Sequence, residues 1–123
     1  MAYDAPAGES VVILNWDDWE EADQDYDMYL YDGHGDVIAS SQDSQTGRAG
    51  DEPVEGIIVN LDHDATLYIA IEADHVGRPA RFDLFAPDGY VEFPEPAYSL
   101  GSPADAAAAL TVGAVYWRTG DLE

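Results

Sequence analysis

The chain has 123 residues and no cysteine, so it is long enough to bury a core of its own, and disulfide frameworks and thiolate zinc sites are excluded. Its formal net charge is −22, from 26 acidic residues and 4 basic ones, all arginine. Phosphate repels such a chain, which excludes nucleic acid and anionic membranes as partners.

With 46% hydrophobic and 11% aromatic residues, the sequence reads as a folded domain inside an acidic shell. Two causes of the acidity compete: cation binding, and adaptation to high salt, where screening removes self-repulsion. The acids are spread along the chain and lysine is absent, which favours a salt-loving source. No apolar run approaches the roughly 18 residues that span a bilayer. The first ten residues lack the basic start and apolar core of a signal peptide, so the chain reads as a piece of a longer protein.

In chain order, residues 1–10 are small and polar and are expected to be loose. Residues 11–16 (Val-Val-Ile-Leu-Asn-Trp) are apolar on both faces, as in a central strand. Residues 17–24 form an acidic loop with room for one helical turn, since Asp17 and Asp18 suit an N-cap. Residues 25–31 alternate, with Tyr26, Met28 and Leu30 on one side and Asp25, Asp27, Tyr29 and Tyr31 on the other. That is a half-buried strand, and it runs through the turn cluster 32–36 into a returning strand at 37–41. This hairpin is the centre of the predicted fold. A loop at 42–53 precedes a strand at 54–61 and a turn at 62–65. Residues 66–72 form the cleanest strand, with Leu67, Ile69 and Ile71 on one face. A loop follows at 73–79, then a strand at 81–86, the turn Pro87-Asp88-Gly89, and a short strand at 90–93 stopped by Pro94 and Pro96. Seven to eight short strands at about ten-residue spacing predict an all-β, antiparallel, jelly-roll-like sandwich. There is no internal repeat.

Composition changes near Ser99. Ser102 as N-cap, Pro103 at the first position and the following alanines predict a short helix, and residues 110–117 a buried strand. That pair belongs to an α/β layout. The predicted organisation is a sandwich over 1–98 and a stub of another fold over 99–123. Detached from its own neighbours, the stub is expected to pack on the sandwich edge or to mediate self-association through residues 103–117.

Three kinds of site are open to this sequence. His34, His63 and His75 sit in predicted turns or loops, and no serine stands on a nucleophile elbow, so exposed histidines are the simpler reading. Asp23-x-Asp25-x-Asp27 starts like a calcium loop, but Met28 stands where glycine is required and His34 where glutamate is. Carboxylates from separate loops remain a possible Ca²⁺ site, with Asp17, Asp18, Asp25, Asp27 and Glu55 as the best group. A solvated acidic edge is the alternative. Trp19, Tyr29, Tyr31 and Tyr90 are candidates for a sugar- or peptide-binding surface, and Trp16 for the core.

Pro103-Ala104-Asp105-Ala106, followed by Leu110-Thr111-Val112-Gly113-Ala114-Val115, resembles a segment of the subtilisin-like (S8) serine proteases that follows the strand carrying the oxyanion-hole asparagine. The tail 116–123 resembles the loop leading to that family's S-S-x-G-P segment. Leu14, residues 16–19, 25–32, 37–41 and 53–55 are similar to a β-sandwich of the pre-peptidase C-terminal type found inside some large secreted subtilases. The catalytic aspartate, histidine and serine segments of the family are missing, so no catalytic residue carries over. The resemblance implies a non-catalytic sandwich inserted in a secreted serine protease, whose remaining domain is its partner. A calcium-dependent carbohydrate- or protein-binding module without that parentage is the alternative.

Overall fold

The computed structural model describes residues 1–92. The predicted helix at 103–109, the strand at 110–117 and the 98/99 boundary lie outside the described residues. Among those described there are eight strands and no helix: β1 (Ala2–Ala5), β2 (Gly8–Trp16), β3 (Asp25–Tyr31), β4 (Val37–Ser41), β5 (Val54–Leu61), β6 (Ala65–His75), β7 (Phe82–Phe85) and β8 (Tyr90–Val91). They form a five-stranded sheet in the order β4-β3-β6-β1-β8 and a three-stranded sheet in the order β5-β2-β7. Every pairing is antiparallel. The predicted antiparallel sandwich is therefore the observed architecture.

Alternation explains which side chains meet between the sheets. Tyr26, Met28 and Leu30 of β3 and Leu67 and Ile69 of β6 point inward from one sheet. Val12, Leu14 and Trp16 of β2 and Ile57 of β5 answer from the other. Trp16 packs edge-on against Tyr26 with ring centroids 5.2 Å apart, and Tyr26 does the same to Phe82 at 4.8 Å. The predicted central strand at 11–16 is indeed flanked on both sides, by β5 and β7.

Two expectations are corrected. Residues 1–10 are not loose: Ala2–Ala5 is a strand that pairs with both β6 and β8, and β2 already begins at Gly8. Their small, polar composition hides a short alternation in which Tyr3 and Ala5 are buried and Asp4 faces out, accepting from the Thr66 hydroxyl at 2.7 Å. Residues 73–75 belong to β6 and not to a loop. Asp25 pairs with His75 across a bulge at Asp25/Tyr26, and this carries the ladder beyond the apolar stretch. Ile71 shares the face of Leu67 and Ile69 as predicted, yet it is 40% exposed while they are buried.

Candidate functional site

The loops 17–24, 42–53 and 76–81 meet at one end of the sandwich. The first loop does hold one helical turn. The Ala22 N–H donates to the Asp18 carbonyl at 2.8 Å, and Ala22 closes the turn at φ 45°. Asp18 is buried, and its Oδ2 accepts from the backbone N–H groups of Asp23 (2.8 Å) and Gln24 (3.0 Å). Its Oδ1 pairs with the Arg78 guanidinium, which also reaches Asp23 Oδ1 at 3.0 Å and Glu21 Oε2 at 3.5 Å. The Arg78 N–H donates to Gln24 Oε1 at 2.9 Å. Next to it, Asp17 and Arg81 exchange bonds. Asp17 Oδ1 accepts from the Arg81 N–H at 2.8 Å, and the Asp17 N–H donates to the Arg81 carbonyl at 3.2 Å.

Gly47 brings the second loop onto the first, its N–H donating to the Ala22 carbonyl at 2.9 Å. It sits at φ +77°, and a Cβ there would lie 3.3 Å from the Asp23 Cβ. Glycine meets both demands. Gln45 then ties this loop to the sheets. Its backbone N–H donates to Asp25 Oδ1 at 3.2 Å, and its Nε2 donates to Glu55 Oε1 at 3.1 Å. The same Glu55 oxygen accepts from the Asp43 N–H at 3.0 Å. Glu55 Oε2 and Gln45 Oε1 are buried and have no hydrogen-bond partner among the described residues. Burial pushes the Glu55 carboxyl above its ordinary pKa, against the bonds from Ser41, Gln45 and Asp43 that pull it down. Asp25 is also raised, first by burial and then by Asp27 and Asp74, against the Gln45 bond and His75.

The five carboxylates proposed from sequence for calcium are thus divided. Asp17 and Asp18 answer to Arg81 and Arg78. Asp25 and Glu55 are brought together through Gln45. Asp27 lies on the outward side of β3 and accepts from the Tyr29 hydroxyl at 3.2 Å and from Gln42 Nε2 at 3.3 Å. Among the described residues, the group whose carboxylates converge within 4.8 Å is Asp18, Glu21 and Asp23. The Arg78 guanidinium already bonds all three, so the cluster has an internal cation and works as a clamp between loops. Sequence reasoning missed Arg78 and Gln45. The available signal for Arg78 was that it is one of only 4 basic residues in a chain with 26 acids, so its position has to be chosen. Of the candidate aromatics, Trp16 is core, Tyr29 and Tyr31 share the outward face of β3, and Trp19 and Tyr90 are strongly exposed on separate elements.

No family model matches the sequence, and no curated protein matches it significantly.

Proposed function

We propose that this sandwich is a non-catalytic accessory domain, inserted in a secreted subtilisin-like serine protease, where it shapes access to substrate or holds the enzyme to a surface. The observation that carries this reading is the pairing of β1 with β8, the first and last strands among the described residues. The Glu92 N–H donates to the Ala2 carbonyl at 2.9 Å, and the Ala2 N–H donates to Glu92 Oε2 at 3.3 Å. Chain entry and exit side by side are what insertion into a loop of another domain requires. The resemblance of residues 103–117 to a protease segment names the host.

The outward face of the three-stranded sheet also supports this reading. Val11, Ile13, Val54, Ile58 and Phe85 lie on it, with Ile58 69% exposed, and the charged residues of this face, Glu9 and Asp83, stand at its margins. In a chain this acidic, an apolar patch of this kind suits contact with a host domain better than contact with water. A second copy is disfavoured at low salt by the like charge of the two chains.

The reading frame on either side of these residues tests the parentage, because aspartate, histidine and serine catalytic segments should flank it. Their absence would end the protease reading. A parent from which 1–98 has been deleted and the ends rejoined should keep its peptide-bond chemistry and change its preference between large and small substrates.

A further inference from the structure

The outward face of the five-stranded sheet carries rings and carboxylates and, among the described residues, no lysine or arginine side chain; the Met1 ammonium is taken up by the Ile69 carbonyl. Tyr29 and Tyr31 stand two residues apart on β3, their ring centroids 6.4 Å from each other. Tyr31 lies directly opposite Tyr68 of β6, which lies opposite Ala2 of β1. Tyr29 lies opposite Ala70 on one side and Ser40 on the other. Small residues flank Tyr29 on both sides and Tyr68 at Ala2, while Tyr31 has Val37 on its other side; Tyr29 and Tyr31 are half-buried and Tyr68 is 46% exposed.

One register step further on, Asp27 lies directly opposite Glu72. Like charges in that position destabilise an antiparallel pair. Among the described residues, Asp27 accepts from neutral donors, Tyr29 and Gln42. The arginines at 48, 78 and 81 all lie in loops, not on a strand of this sheet. The face therefore combines electron-rich rings with uncompensated carboxylates.

We infer that this face binds an extended, arginine-bearing peptide segment, with one guanidinium group over Tyr31 and Tyr68 and another, further along β3, paired with Asp27 and Glu72. A planar guanidinium stacks on an aromatic face while its N–H fork engages carboxylates, which a hydrated ammonium does less well. The spacing also fits. Tyr31 and Asp27 are four residues apart on β3, which is two alternate-residue steps of about 6.8 Å in an extended peptide. A sugar would use the rings but would leave the opposed carboxylates uncompensated. The inference gives the accessory role a ligand class, and it stands or falls independently of the parentage, which the flanking reading frame decides.

The test is calorimetric titration of the 123-residue chain with acetyl-Arg-Gly-Arg-Gly-Arg-amide at about 0.15 M salt. Tyr68→Ala should weaken binding about three- to fivefold and Tyr68→Phe should not, since the ring and not the hydroxyl carries the contact. Glu72→Gln should weaken it more than Asp62→Asn, which removes the same charge in the turn before β6. The citrulline analogue of the peptide should not bind. Circular dichroism melts establish that each variant folds, and Tyr68→Leu carries the same expectation if the alanine variant does not. Equal losses for Glu72→Gln and Asp62→Asn, or wild-type binding by Tyr68→Ala, would reduce the effect to diffuse attraction by an acidic chain and overturn the inference. Displacement of the peptide by a neutral oligosaccharide such as cellohexaose would overturn it in favour of a sugar platform.

Discussion

Replacing Glu55 by glutamine should stabilise the protein, and increasingly so as pH rises. Glu55 is 1% exposed, on the inward face of β5 opposite Leu14. Its Oε1 already takes the Asp43 N–H and Gln45 Nε2, and the Ser41 hydroxyl also favours the charged carboxyl, while Oε2 has no hydrogen-bond partner within reach among the described residues. Burial is the largest influence on the carboxyl and raises its pKa. A carboxyl raised in this way binds more protons folded than unfolded. Its contribution to stability is complete below the unfolded pKa and is lost as pH rises through the folded one. Each unit of difference removes about 1.4 kcal/mol. Glutamine keeps the acceptor for Asp43, never ionises, and offers an amide to the unpartnered Gln45 Oε1. Glu55→Gln should therefore match the wild type near pH 4 and exceed it near pH 8, by about the 1–2 kcal/mol that a buried unpaired acceptor costs. Glu55→Ala strands both donors and should cost about 2–3 kcal/mol throughout. Urea unfolding at fixed ionic strength across that pH range measures both. Asp25, raised in the same direction, leaves a residual slope in the variant. A glutamine variant less stable than the wild type by a constant amount at every pH would refute the reasoning, because the ionised carboxylate would then be favourable where it stands.

Other outcomes are expected of the loop clamp and the close contacts. Arg78→Ala leaves the buried Asp18 carboxylate without its ionic partner and should cost about 1–3 kcal/mol in thermal unfolding, whereas Arg48→Ala, on an exposed loop residue, should cost under about 0.5. Asp18→Asn keeps an acceptor for the Asp23 and Gln24 N–H groups and should cost less than Asp18→Ala, which removes it. A Cβ at Gly89 would lie 2.2 Å from the Asp4 carbonyl and 2.6 Å from Tyr3 Cε2. Gly89→Ala must therefore push β1 from β8, at about 1–3 kcal/mol, with the loss seen first as faster amide exchange in Ala2–Ala5.

The strands that carry the core were legible because they alternate cleanly. Tyr26, Met28 and Leu30 were assigned inward from period alone, and all three are buried. The same rule failed at β1, where four residues are too few to show a period and alanine gives little hydrophobic signal. It failed again at residues 73–75, where Asp74 and His75 look like loop but continue the β6 ladder. Pairing with β3 holds them, and the partner strand is not visible in a local window. The candidate site was less legible for a similar reason. Spacing can gather Asp23, Asp25 and Asp27, and alternation alone would keep Asp25 and Asp27 on one face, but Asp23 lies in the loop before β3 and the bulge at Asp25/Tyr26 lets Asp25 be buried against Gln45 while Asp27 stays on the outward side. Only the fold shows that Gln45 reaches both Asp25 and Glu55.

The acidic surface makes one more demand that separates charge from packing. At the loop end, acids are bonded to arginines or backbone N–H groups. On the five-stranded face, Asp27 and Glu72 oppose each other directly. An exposed like-charge pair of this kind costs a few tenths to about 1 kcal/mol, and the cost is electrostatic. Glu72→Gln should therefore stabilise the chain by about that amount at 0.05 M salt. The gain should disappear near 1 M, where the screening length falls to about 3 Å. Paired melts of the two proteins over a KCl series read the difference directly. A gain that survives at 1 M would come from strand propensity and not from charge. A loss at low salt would mean that Glu72 already has a favourable partner, and the argument that this face awaits a cation would lose its electrostatic ground.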